Sequence, residues 1–203
     1  MASDDGAEAA IGRVLAALES AGVPYMLTGS FASSFHGAPR TTQDVDIVIA
    51  PTLGSLQRLI SEFPEDQYYV SREAALQAYG SESLFNVIDL ESGWKIDFII
   101  RKSRQFSVEE FARRREADVL GRTLTIASAE DVILSKLEWA KMAGSERQIT
   151  DVAGILRTQD TNIDVAYVER WVAVLGVQSE WERASAEAGL TQTLRRTVKG
   201  LGG

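Results

Sequence analysis

Two aspartates inside a run of β-branched residues constrain this chain more than any other feature. In "DVDIVIA", Asp44 and Asp46 are separated by one residue, and the surrounding valines and isoleucines are typical of a strand. Both carboxylates therefore share one face, with roots about 6 to 7 Å apart, while Val45, Ile47 and Ile49 share the opposite, core-facing side. The two side chains can converge on Mg²⁺ or Mn²⁺, ions that prefer hard oxygen ligands. Because Asp-x-Asp alone is a weak signal, a polar strand face turned to water is the alternative.

A Gly-Ser pair lies upstream of these aspartates. Gly29 and Ser30 follow a predicted strand, "YMLT", and open a short predicted helix, "SFASSFH". Free N–H groups and the positive end of the dipole at a helix N-terminus favour phosphate. Gly29 lets the backbone approach a ligand closely, and the Ser30 hydroxyl can donate to a phosphate oxygen. An ordinary turn with Ser30 as the helix cap is the more frequent meaning of such a pair.

A third aspartate lies in another apolar strand, "WKIDFII". Asp97 points away from the face formed by its isoleucine and phenylalanine neighbours, and Lys95 and Arg101 are close enough in sequence to neutralise charge near it. Asp89, in "VIDL", is a competing candidate. We prefer Asp97, because Asp89 adjoins the predicted turn "ESG", where aspartate is common for local reasons.

Two further charged residues lie in the helical part of the chain. Lys136 has apolar neighbours in the helix "AEDVILSKLEWAK", and Asp151 follows on the next helix after a Gly-Ser break. A solvated lysine and an ion pair between Asp151 and Arg147 are at least as good interpretations of the spacing. The run Arg113–Arg115 suggests an RNA contact or, more simply, a solvated helix face.

Together these residues resemble the nucleotidyltransferase superfamily that includes DNA polymerase beta. The superfamily motif is Gly-Ser, a spacer of roughly ten to thirteen residues, Asp-x-Asp and a third carboxylate on a later strand. Here thirteen residues separate Ser30 from Asp44, and Asp97 fits the third position. The stretches "PRTTQDVDIVI", "SAEDVILSKLEWAK" and "RQITDVAGIL" look more particularly like the abortive-infection (AbiEii-type) toxin nucleotidyltransferases of type IV toxin–antitoxin systems.

The resemblance implies transfer of a nucleoside monophosphate from an NTP to an acceptor hydroxyl, with Mg²⁺ or Mn²⁺ as the cofactor. It implies that three aspartates bind the metal and act in catalysis together with a lysine: Asp44, Asp46, Asp97 and Lys136. It implies that five other residues bind the nucleotide or assist the site: Gly29, Ser30, Arg40, Thr42 and Asp151.

The acceptor and the partners follow from the resemblance alone. Toxin-like relatives imply an RNA acceptor, such as tRNA, and a neutralising antitoxin protein as a partner. A small hydroxylated molecule, as in aminoglycoside nucleotidylation, is the alternative acceptor. Such antibiotics are cationic, which suits a chain with a net charge of −8. A non-catalytic relative that binds a nucleotide or a partner is the third possibility.

Composition limits the remaining choices. The chain has 203 residues, no cysteine and one histidine, which exclude thiolate and histidine-rich metal sites. We expect an α+β fold: a mixed β-sheet nucleotidyltransferase core flanked by helices over residues 1–127, and a C-terminal helical subdomain over residues 128–203 that packs on the core. An acidic, non-apolar start and the absence of long apolar runs predict a cytoplasmic protein without a secretory signal or membrane span.

Overall fold

The computed structural model describes residues 4–37, 44–119 and 121–190, with side chains from residue 9 onward. Residue contacts divide the chain into two compact units. The first unit consists of Met1–Phe31 and Thr41–Ala127, and the second of Ala32–Arg40 and Ser128–Gly203. Over the described residues, no helix combines the length and hydropathy that crossing a membrane requires.

Seven strands within the described residues form one mixed sheet in the first unit. They are β1 (Tyr25–Thr28), β2 (Asp44–Ile49), β3 (Tyr68–Val70), β4 (Leu84–Asp89), β5 (Lys95–Ile100), β6 (Arg115–Val119) and β7 (Arg122–Ile126). Their order across the sheet is β3-β4-β5-β2-β1-β7-β6. Strand β2 runs parallel to β5, and β1 runs parallel to β7, whereas the other neighbouring pairs are antiparallel.

Helices make up most of the remaining described chain. They are α1 (Asp4–Ala21), α2 (Gly29–His36), α3 (Leu53–Ser61), α4 (Arg72–Ser81), α5 (Gln105–Ala112), α6 (Ala129–Ala143), α7 (Glu146–Gln159), α8 (Val165–Leu175) and α9 (Gln178–Ala188). In the second unit α6 packs against α7 and α8, and α7 packs against α9. The mixed sheet with flanking helices confirms the predicted α+β fold.

The central strands β2 and β5 have one apolar face, as their alternation predicts. Val45, Ile47 and Ile49 are buried on this face of β2, and Ile96 and Phe98 are buried on the same face of β5. The Phe63 ring, just after α3, lies 6.0 Å from the Phe98 ring, centre to centre. The opposite face of the same strands carries the aspartates, because a strand alternates its side chains between two faces.

Local signals explain where several helices begin and end. Helix α1 ends before Gly22, whose φ of 64° lies in the left-handed region, and α6 ends at Gly144 for the same reason. Thr52 caps α3 with a complete capping box, and Ser128 caps α6 through the Asp131 N–H. At the start of α7, Ser145 occupies the cap position without a side-chain cap hydrogen bond.

Strands β3 and β6 were not predicted from the sequence. Both are the outermost strands of the sheet, and β6 reads "READV", a charged stretch without strand-like alternation. The predicted helical face over Arg113–Arg115 is therefore wrong: α5 ends at Ala112, and Arg115 begins β6. The Arg114 guanidinium lies 4.1 Å from the centre of the Phe111 ring.

An ion pair between a buried carboxylate and a partly exposed arginine joins α1 to the edge of the sheet. Arg13 of α1 donates to the carboxylate of Asp89 at the end of β4, and its Nε donates to the Tyr68 hydroxyl at 3.1 Å. Backbone N–H groups of Glu91 and Ser92 also donate to Asp89, at 3.0 and 3.1 Å. Burial by itself raises the pKa of Asp89, but these hydrogen bonds and the Arg13 charge outweigh it and lower that pKa below its ordinary value.

We predict that Asp89→Asn destabilises the protein by about 2 kcal/mol at neutral pH, because Arg13 and two backbone donors lose a charged acceptor. A lowered folded-state pKa adds stability above the unfolded value of about 3.9, and this stability is lost as the pH falls through the folded pKa. The difference between wild type and Asp89→Asn should therefore shrink below about pH 4. Urea unfolding of both proteins at several pH values measures this difference in the free energy of unfolding.

The control for this prediction is Asp118→Asn, since Asp118 is exposed on β6 and accepts a hydrogen bond from the Thr123 hydroxyl at 2.9 Å. We expect this change to cost less than about 0.5 kcal/mol. If Asp89→Asn behaves like Asp118→Asn, the ion pair does not anchor α1.

Candidate functional site

Parallel strands β2 and β5 bring two of the predicted carboxylates into direct register. Asp46 pairs with Asp97 across the two strands, and Asp44 pairs with Lys95. Neighbouring strands lie about 4.8 Å apart, so in-register side chains on one face are close neighbours. We call the face of β2 and β5 that carries Asp44, Asp46 and Asp97 the acidic face.

The turn between β1 and α2 lies against Asp46. Thr28 pairs with Asp46 in the antiparallel register of β1 and β2, and the Ser30 N–H donates to Asp46 Oδ2 at 3.4 Å. Gly29 has a φ of 61°, and a Cβ at this position would lie 1.9 Å from Asp46 Oδ2. A glycine is therefore required at position 29 for two reasons: the backbone is left-handed there, and a side chain would overlap the Asp46 carboxylate.

Lys95 neutralises part of the acidic face. Its Nζ lies 2.9 Å from Asp97 Oδ2 and 3.7 Å from Asp44 Oδ1. The hydrogen bond to Asp97 is the main cause of a raised Lys95 pKa, and the charges of Asp44 and Asp46 add to it. The sequence suggested both Lys95 and Arg101 for this role. The structure assigns it to Lys95, because the Arg101 guanidinium lies 5.9 Å from the Phe111 ring centre.

Asp97 has contacts on both of its carboxylate oxygens. Asn86 of β4 pairs with Asp97 in the β4–β5 register, and its Nδ2 donates to Asp97 Oδ1 at 3.2 Å. With Lys95 on Oδ2, the Asp97 side chain is held in place and is 15% exposed, whereas the Asp44 side chain is 55% exposed. Sequence reasoning missed Asn86, because counting back across the predicted turn "ESG" places Val87 opposite Asp97, one residue away from the actual register.

The competing candidate, Asp89, belongs to the opposite side of the sheet. It follows Phe85 and Val87 in the alternation of β4, and all three are buried. Asn86, on the other face of β4, is the residue that contacts Asp97. Asp89 also accepts hydrogen bonds from Arg13 and from the turn that follows it, so both the position and the contacts of its carboxylate indicate a structural role.

Lys136 and Asp151 form an ion pair within the second unit. Lys136 Nζ donates to Asp151 Oδ2 at 2.7 Å and to Gln148 Oε1 at 3.0 Å. Lys136 is only 4% exposed, so the interpretation as a solvated helix lysine is wrong. The pair links α6 to α7. The alternative from the sequence was a local ion pair between Asp151 and Arg147 on α7 itself. Arg40 and Thr42, the other predicted nucleotide-binding residues, lie outside the described residues.

The acidic face suits a hard divalent cation by its chemistry. All three donors are carboxylates on adjacent strands, and the face already binds a cation, the Lys95 ammonium. Over residues 4–37, 44–119 and 121–190, no three acidic or histidine side chains stand together as a metal-coordinating group. Carboxylate oxygens are the type of ligand that Mg²⁺ or Mn²⁺ prefers, but these three carboxylates do not stand together as a coordinating set, and the Lys95 ammonium lies among them.

No family model matches the chain, and no curated protein matches it by sequence. Solved structures do match. The crystal structure of ANT(2'')-Ia in complex with adenylyl-2''-tobramycin has a TM-score of 0.57 and 16% identity, covering 84% of this chain and 97% of that one. An antigenic nucleotidyltransferase-like protein from Paracoccidioides brasiliensis has a TM-score of 0.53 and 17% identity, covering 91% and 93%.

A third solved structure, the lincosamide antibiotic adenylyltransferase LnuA with lincomycin bound, has a TM-score of 0.50 and 14% identity. It covers 75% of this chain and 96% of the LnuA chain. At these identities the likeness establishes architecture rather than activity. The chain has the nucleotidyltransferase fold.

Proposed function

We propose that this protein is a metal-dependent nucleotidyltransferase, which transfers a nucleoside monophosphate from an NTP to an acceptor hydroxyl. One observation carries the proposal: Asp46 stands in register with Asp97 and, on its other side, against the turn of Gly29 and Ser30. Carboxylates and the backbone N–H groups of a helix N-terminus thus lie side by side, which is what a metal-bound triphosphate requires. The nucleotidyltransferase fold supports the same conclusion.

In this proposal each residue has a defined task. Asp44, Asp46 and Asp97 would hold the divalent cation, which neutralises the triphosphate and lowers the pKa of the attacking hydroxyl. Backbone N–H groups at Gly29 and Ser30 would bind the β- and γ-phosphates. The acceptor oxygen bonds to the α-phosphorus, the bond to the β-bridging oxygen breaks, and pyrophosphate leaves. Asp97 accepts the proton of the acceptor.

A small cationic molecule with free hydroxyl groups is the acceptor class we propose. The chain carries a net charge of −8, which attracts cations and opposes the approach of RNA phosphates. Among structures of the same fold, that of ANT(2'')-Ia contains adenylyl-2''-tobramycin and that of LnuA contains lincomycin. An RNA acceptor with a toxin-like role and an antitoxin partner is the competing outcome of the test below.

For Lys136 and Asp151 the proposal is an assisting role. The resemblance implies that the lysine adds positive charge toward the triphosphate. The ion pair between α6 and α7 supports a further role in the stability of the helical unit. The two roles are separable by experiment, because one affects nucleotide turnover and the other affects unfolding.

We predict that Asp46→Asn and Asp97→Asn each lower nucleotidyl transfer at least about 100-fold, because each removes a metal ligand and Asp97 is also the proton acceptor. The measurement uses each α-³²P-labelled NTP with Mg²⁺ and follows label transferred to tobramycin, lincomycin or total tRNA. Label on a small molecule supports the proposed acceptor class, and label on tRNA supports the toxin-like alternative instead.

Asp118→Asn is the matched control, since it changes an aspartate of the same sheet on the outer strand β6. It should retain wild-type transfer. Calorimetric titration of each NTP with and without Mg²⁺ makes the test independent of the acceptor. Equal NTP affinity with and without the metal, together with unchanged transfer in Asp46→Asn, would identify a non-catalytic protein.

A second prediction concerns the glycine beside Asp46. Gly29→Ala should displace the Asp46 carboxylate, because the new Cβ would overlap Oδ2, and should lower metal-dependent NTP affinity about tenfold or more. Gly22→Ala is the matched control: Gly22 has the same left-handed backbone, with φ 64°, but no atom within 4 Å of its added Cβ. Both variants should lose about 1 kcal/mol of stability from backbone strain. Equal NTP affinities would argue against the contact with Asp46.

A third prediction separates the two roles of Lys136. Lys136→Met leaves Asp151 without its buried partner and should destabilise the protein by about 3 kcal/mol, whereas Lys136→Met with Asp151→Leu should recover most of this loss. Urea unfolding measures both variants. If Lys136 serves the triphosphate, the stable double variant still has a raised KM for NTP. A wild-type KM in the double variant would restrict Lys136 to a structural role.

A further inference from the structure

Lys95 lies at the beginning of β5 and on the acidic face. It precedes Asp97 by two residues, so the alternation of the strand directs both side chains to one face. Its ammonium group bridges the two strands, because it contacts Asp97 on its own strand at 2.9 Å and lies 3.7 Å from Asp44 on β2. All of these residues belong to the first unit.

The acidic face needs such a cation. Like charges directly opposite each other on neighbouring strands are destabilising, and Asp46 and Asp97 are directly opposite. The Asp97 side chain is largely buried, so water screens this repulsion only in part. Lys95 supplies the missing positive charge from within the chain.

The Lys95 side chain nevertheless remains open to solvent. It is 39% exposed and has a flexible stem, so water can solvate the ammonium when another cation takes its place on the carboxylates. A structural counter-ion, by contrast, would be enclosed, as Lys136 is at 4% exposure. The exposure of Lys95 therefore suits a cation that is exchanged for another.

We propose that Lys95 is a built-in counter-cation of the acidic face, which holds the carboxylates together until a divalent cation displaces it. This inference rests on the proposed function, because it concerns the metal that the aspartates would hold. Metal binding is then an exchange of one cation for another, and Lys95 weakens metal affinity while it preserves the arrangement of the ligands. Lys95 is thus a positioning residue of the site.

Direct titration with Mn²⁺, followed by electron paramagnetic resonance, tests the proposal on the full chain. Lys95→Met removes the competing charge and should bind Mn²⁺ about tenfold more tightly than wild type. Lys95→Arg keeps a cation and should stay within about threefold of wild type. Lys102→Met removes an exposed lysine beyond the end of β5 with the same change of net charge, and should leave the affinity unchanged. Asp46→Asn should abolish the binding and so locate it.

Thermal unfolding provides a readout that does not depend on measuring affinity. Without metal, Lys95→Met should have a lower Tm than wild type, because the carboxylates then repel each other. Millimolar Mg²⁺ should raise the Tm of Lys95→Met more than it raises that of wild type. Lys102→Met should show neither effect. A variant too unstable to titrate without metal can be titrated from the metal-loaded form with a chelator.

The possible failures have different meanings. If Lys95→Met binds Mn²⁺ as wild type does, or more weakly, while Asp46→Asn does not bind it, the metal site stands and the counter-cation role is overturned. If neither wild type nor Lys95→Met binds Mn²⁺, both the counter-cation role and the metal-dependent function are overturned.

Discussion

The central constraint on the site is the repulsion between two carboxylates, Asp46 and Asp97, which the sheet holds side by side. Asp46 and Asp97 are opposed on two parallel strands whose other faces are packed with isoleucine, valine and phenylalanine. The apolar face fixes the register, because a slip by one residue would turn Ile47 and Phe98 outward. The fold thus uses the hydrophobic stability of one face to maintain an arrangement of like charges on the other.

Several neighbours make this arrangement tolerable. Lys95 donates to Asp97, Asn86 donates to its other oxygen, and the Ser30 N–H donates to Asp46. Each of these donors is positioned by a strand or by the turn after a strand, so none requires a long ordered loop. The donors lie on β4, on β5 and at the start of α2, directly after β1. The result is a concentrated negative charge with several defined hydrogen-bond donors.

Sequence reasoning predicted this part of the fold because its signals are local. Alternation around Asp46 and Asp97 gave their faces, and the turn residues before Asp97 gave the β4–β5 hairpin. It could not give the register between β2 and β5, since that depends on long-range packing, nor the edge strand β6, whose charged residues follow no strand pattern. It also left a solvated Lys136 open as an alternative, because one helix alone does not reveal that Asp151 of the next helix pairs with this lysine.

The path of the chain between the two aspartates affects how the site assembles during folding. Strands β2 and β5 are adjacent in the sheet, but α3, β3, α4 and β4 lie between them along the chain. Closing that long loop costs more entropy than forming the β4–β5 hairpin, so the hairpin forms earlier. Asn86, Lys95 and Asp97 all belong to this hairpin. The nascent sheet therefore meets β2 with the charge of Asp97 already compensated, which lowers the electrostatic barrier to pairing β2 with β5.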